Sequence, residues 1–140
     1  MIKSLFNTLN WYKKNSTVPG AQKILSLYGL WEELHALSVN ISEDAWKKFE
    51  DIAKSMNLAI GRDERWLFLF AVETYLNIVV RLIALSKLGR APRNIQGYIS
   101  AIEGMRSIFS PTVFEWIHDA ISDPNLDPHV KSSLEGSLHT

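Results

Sequence analysis

The stretch RWLFLFAVETYLNIVVRLIALSKLG, residues 65–89, contains no proline and no glycine before its last position. It constrains the fold more than any other segment. Its apolar residues show no sustained two-residue alternation, so the run reads as one helix. About 24 helical residues extend about 36 Å at roughly 1.5 Å per residue, which is long enough to cross a bilayer. The run nevertheless carries Glu73 and Arg81, and opposite charges within one span are costly in hydrocarbon unless they are paired or face a cavity. The flanking sequence holds no second span. The stretch is therefore expected to be the central helix, about residues 64–88, of a soluble protein with no membrane partner.

The polar residues of this helix fall in register. Glu73, Asn77 and Arg81 are spaced i, i+4, i+8, one turn above another, and Thr74 lies beside them. At about 100° per residue these four positions occupy a sector of roughly 100°, and the rest of the circumference is apolar. A helix so widely apolar is expected to have neighbours on three sides. Two readings of the ridge follow. It is either a narrow solvent stripe or satisfied network in which Asn77 bridges Glu73 to Arg81, or the wall of a cleft where Arg81 meets an anionic partner. The first is the expectation: the ridge closes on itself.

Helical spacing recurs along the rest of the chain. Ile2, Leu5, Phe6, Leu9 and Tyr12 form one stripe; after Pro19-Gly20, Ile24, Leu27, Tyr28, Trp31 and Leu34 form a second. Ser42 is a natural N-cap for a third helix that buries Trp46, Phe49, Ile52, Ala53 and Met56, with Glu43 and Asp44 at the positive end of its dipole. Asp63 is placed to cap the long helix, and Gly89 and Pro92 to end it. Ile95, Tyr98, Ile99, Ile102, Met105 and Phe109 mark a fifth helix. Ser110-Pro111 reads as the cap and first residue of a sixth, which packs Val113, Ile117, Ala120 and Ile121. Asp123-Pro124 and Asp127-Pro128 read as turns, the second opening a short terminal helix that Gly136 ends. There is no repeat and no linker. The expected fold class is all-α: residues 1–140 form a single-domain helical bundle of five to seven helices around the long central helix.

A chain of 140 residues is long enough to bury a real core. It has no cysteine, which removes disulfides and thiolate metal sites, and the N-terminal segment lacks the apolar core of a signal peptide, so a cytoplasmic location is expected. The charges cancel overall but fall in blocks. Residues 1–31 and 74–102 each carry four bases and no acid, and residues 32–73 carry nine acids against five bases. Such blocks suit complementary packing faces and also permit a local basic patch.

No catalytic motif is present: HExxH, Walker loop, GxGxxG and GxSxG are all missing. Glu115, His118 and Asp119 would share one helical region, yet a metal needs a further ligand and a second shell from elsewhere. They are read as a charge cluster. No catalytic residue, metal site or cofactor is assigned. The five tryptophans mostly lie on apolar stripes, with Trp11 and Trp66 off the clearest ones. The best candidate contact surface for nucleic acid or another anion is the segment KLGRAPRN, with Lys87, Arg90 and Arg93, joined by Arg62 and Arg65 at the other end of the long helix. Phosphate contact by such residues would be salt-dependent and blind to sequence.

Within the long helix, Leu69-Phe70, Thr74-Tyr75-Leu76 and Arg81-Leu82-Ile83-Ala84, followed downstream by Val113-Phe114-Glu115-Trp116-Ile117, resemble motifs in the N-terminal helical region of adenine-specific DNA methylases of restriction–modification systems. The resemblance spans about residues 66–120. Glu73 stands where that family tends to have His, and the chain carries neither a Gly-rich S-adenosylmethionine loop nor Asn-Pro-Pro-Tyr. The resemblance implies a non-catalytic accessory domain that contacts duplex DNA or a methylase subunit. The residues alone leave a second possibility, a helical interaction or scaffold protein that self-associates as a homo-oligomer.

Overall fold

A computed structural model describes residues 1–138; His139 lies outside the described residues. These form seven α-helices, α1 (Ile2–Lys14), α2 (Ala21–Ser38), α3 (Glu43–Ser55), α4 (Arg65–Lys87), α5 (Ile95–Gly104), α6 (Trp116–Ser122) and α7 (Pro128–Gly136). Two single 3-10 turns, Arg62–Glu64 and Val113–Glu115, lead into α4 and α6. No strand occurs among the described residues, so the all-α bundle read from periodicity is the observed architecture.

Local chemistry sets the boundaries. Ser42 Oγ accepts from Ala45 N–H at the start of α3, and Asp127 accepts from His129 and Val130 N–H with Pro128 at the first position of α7, as expected of oxygen-bearing N-caps. Gly89 adopts φ +71°, and its neighbour Arg90 donates to Leu85 O at 2.8 Å, so the left-handed glycine closes α4. Three boundaries differ from the sequence reading. The carboxylate of Glu64, not Asp63, satisfies the Gly61 N–H at 2.8 Å, so a 3-10 turn precedes α4. Thr112, not Ser110, caps the turn before α6, because Thr112 Oγ1 accepts from Phe114 N–H. α5 stops at Gly104, leaving Met105 and Phe109 in the following turn.

The core forms where the helices cross α4. α1 lies along α4, with Phe6 against Phe68. α2 crosses it where Tyr28 and Trp31 meet Phe70, and α3 covers its start where Trp46 meets Trp66 edge-on. Trp66, off the clearest stripes, is thus part of this aromatic cluster. α7 packs on α1 and α6. At the far end of α1, the buried Tyr12 hydroxyl donates to Asp123 at 2.7 Å. A side chain at Gly20 (φ +93°) would press on that carboxylate, its Cβ coming within 3.1 Å. Two residues expected inside are exposed, Ile52 on α3 and Leu34 on α2.

Candidate functional site

α4 is long and apolar enough to cross a membrane by length and composition, yet it sits within the bundle and nine of its residues are buried. Its polar ridge does not form. Arg81 is 6% exposed and turns away from Glu73 toward the segment before α6. One guanidinium nitrogen donates to Glu115 Oε2 at 2.8 Å and the other to the Ser110 carbonyl at 2.8 Å. Arg106 grips the same carboxylate with two nitrogens, at 2.7 and 2.6 Å. Burial pushes the Glu115 carboxyl up, but the bonds from Arg106 and Arg81 outweigh it and hold the group at about 2. Burial likewise raises Tyr98 to about 12, opposed by the adjacent Arg81.

Glu73 takes a different partner, His35 of α2, whose Nε2 lies 3.4 Å from its carboxylate. Asn77 shares a shallow surface hollow of about 290 Å³ with Glu73, Leu76, Val80 and Phe114, and no hydrogen bond joins it to Glu73 or Arg81 among the described residues. The expected bridge from Glu73 through Asn77 to Arg81 is therefore corrected: Glu73 and Asn77 border one surface hollow, Glu73 reaching His35, while Arg81 is buried against Glu115 and Ser110. The physical reason is angular. Successive i+4 positions advance about 40° around the axis, so Arg81 has rotated about 80° from Glu73 into a neighbouring interface.

α1, α2 and α3 do pack around α4, but part of its apolar surface is left uncovered. Leu76, Val80 and Ile83 are 51, 65 and 57% exposed. With Glu73 before and Lys87 after them, they are spaced 3, 4, 3 and 4 residues apart. That alternation keeps all five on one straight seam, the pattern that packs helix against helix. On α2, Leu30, Leu34 and Leu37 form a second exposed strip, tied to α4 by the His35–Glu73 contact. No sequence signal marked these strips as outward-facing. The helical period reports that residues share a face, and only the neighbours decide whether that face is covered.

The five basic residues proposed from sequence fall into two groups at opposite ends of α4, about 35 Å apart at roughly 1.5 Å per residue. Arg65 pairs with Glu50 at 2.7 Å and Glu43 at 3.2 Å and lies over the Trp46 ring. Arg62 pairs with Glu43 at 3.6 Å. Both start the helix by binding α3. Lys87, Arg90 and Arg93 are exposed together at the other end, and no ion pair to Lys87 or Arg90 occurs among the described residues.

The Glu115, His118 and Asp119 cluster disperses. Glu115 binds the two arginines, Asp119 pairs with Lys23 at 2.9 Å, and His118 Nδ1 lies 3.2 Å from Glu103. Burial lowers the His118 pKa against the pull of Glu103 and Glu115. No metal-ligand grouping occurs among the described residues.

The segments carrying the methylase resemblance pack on each other. Phe70 meets Phe114 with ring centres 5.7 Å apart and planes tilted, the Trp116 indole N–H donates to Thr74 Oγ1 at 3.0 Å, and Arg81 binds Glu115. Comparison with family models, with curated proteins and with solved structures finds no match for the chain.

Proposed function

We propose that this protein is a non-catalytic helical interaction module and that the seam Glu73–Leu76–Val80–Ile83–Lys87 is its docking surface. The observation that carries the reading is an inversion on one helix: α4 buries Arg81 while exposing three branched apolar side chains one turn apart. Exposed apolar residues scattered singly are ordinary, whereas a continuous strip on a regular helix is a surface for another helix or groove. The buried arginine–glutamate network holds α4 rigidly against the segment before α6, which presents the strip without prior ordering cost. Glu115, His118 and Asp119 meet Arg81 and Arg106, Glu103 and Lys23 respectively, which supports the non-catalytic reading.

The test is photo-crosslinking in cells with p-benzoylphenylalanine in place of Val80, against the same probe at the exposed Lys47 on α3. The expected result is discrete adducts from position 80 only, diminished by Ile83→Glu. Equal or absent adduct formation at the two positions would overturn it.

A second reading follows from the methylase resemblance: contact with duplex DNA or a methylase subunit, in which Lys87, Arg90 and Arg93 meet phosphates. Exposure of the three bases in one connection supports it, and Arg62 and Arg65, bound to acids far away, do not contribute. Anisotropy titration with labelled duplex DNA at low and moderate salt tests it; saturation weakening with salt is expected, and no binding at tens of micromolar would remove it.

A further inference from the structure

The charge pattern of the α4 seam identifies its occupant. Within the seam all bulk is apolar, the N-terminal end carries one acid, Glu73, and the C-terminal end carries two bases, Lys87 and Arg90. Reading the seam backwards therefore gives its electrostatic complement. An antiparallel helix pairing centred between Val80 and Ile83 sets each Val80 against the partner's Ile83. The same pairing brings Leu76 against the partner's Lys87 stem, and Glu73 against the Lys87–Arg90 end of the partner helix. A parallel pairing would instead stack acid on acid and base on base. An isologous two-fold contact requires such a self-complementary patch, since residue i meets j and j meets i.

We propose, resting on the seam being a docking surface, that its partner is a second copy of this chain, joined through α4 in an antiparallel two-fold dimer. Further features agree. The net formal charge is zero, so two copies approach without long-range repulsion. The 3-4 spacing provides interdigitating knobs over nearly four turns. The Lys87 stem covers apolar surface while its ammonium stays at the rim. Asn77 and Phe114, in the hollow beside Val80, border the contact and give the partner's side chains a recess to enter.

Sedimentation velocity of the full chain from about 1 μM to about 200 μM, the range that brackets weak to moderate dimers, should show a concentration-dependent monomer–dimer shift. Val80→Glu should sediment as a monomer with an unchanged circular dichroism spectrum. Glu73→Lys alone, and Lys87→Glu with Arg90→Glu, should each weaken the dimer about 10-fold, because symmetry counts every exposed pair twice. Combining all three changes should restore it. Failure of the combination to restore association excludes the antiparallel arrangement, and a dimer indifferent to Val80→Glu excludes the seam.

The position-80 photo-adduct separates this inference from the reading beneath it. An adduct of twice the 15.9 kDa chain mass is expected. Adducts of other masses only, with a monomer in the centrifuge, would overturn the dimer and leave the docking surface standing. No position-dependent adduct and no dimer would overturn both.

Discussion

Two neighbouring residues of α4, Val80 and Arg81, occupy opposite worlds. The aliphatic one is 65% exposed and the charged one 6% exposed. On the Arg81 side the helix is locked by charge-assisted bonds that link it to Ser110, and through Glu115 to Arg106. On the Val80 side the helix face stands largely open among the described residues. The contrast shows that a side chain's polarity gives the cost of its environment without giving the environment. A buried arginine is tolerated because its carboxylate and carbonyl partners are arranged beforehand, and breaking such a set exposes the desolvation cost of what remains.

That comparison can be broken from its buried side first. Glu115→Gln removes the carboxylate shared by two guanidinium groups and leaves Arg81 charged and buried. The expected loss is about 3–5 kcal/mol, a large part of a domain's usual 5–15 kcal/mol, seen as a lower urea midpoint. An unchanged midpoint would mean that the network is ornamental.

The same carboxylate sets an acid limb. Its folded pKa of about 2 lies below the ordinary 4.5. The stabilisation is therefore fully present above about 4.5 and is lost as pH falls toward 2. A series of melting temperatures between about pH 2 and pH 6 should decline toward acid in the native chain and decline less steeply in Glu115→Gln.

A smaller effect comes from Thr74→Val, which keeps the volume but orphans the buried Trp116 indole N–H. The expected cost is about 1–3 kcal/mol, read by denaturant titration. Smallest of all, Leu76→Gln and Ile83→Gln should change monomer stability by no more than about 0.5 kcal/mol, even though both replace large apolar residues. A loss of several kcal/mol at either would show the strip to be covered.

What the sequence disclosed and what it withheld divide along the same line. Helical periodicity, the Ser42 and Asp127 caps and the Gly89 stop are local, and each appears where the residues put it. The missed caps were competitions between nearby oxygens: Glu64 reached the Gly61 N–H, and Thr112 stood closer than Ser110 to the turn it capped. The polar ridge failed for a longer-range reason. Spacing put Glu73, Asn77 and Arg81 in a row, but His35, which meets Glu73, and Glu115, which binds Arg81, come from α2 and from the segment before α6, whose positions no local pattern encodes. The separation of Arg62 and Arg65 from Lys87 and Arg90 by the length of α4 was legible; the pairing of the first two with Glu43 and Glu50 of α3 was not. The 3-4-3-4 seam was present in the sequence throughout. Its exposure was not.

The most direct test compares Val80→Glu with Arg81→Leu by equilibrium urea unfolding, extrapolated to low protein concentration so that association does not contribute. Putting a charge on the apolar side should cost less than about 0.5 kcal/mol, while replacing the charge with a leucine should cost at least about 2 kcal/mol. The opposite ranking, with Val80→Glu the more damaging, would contradict the two-sided account of α4.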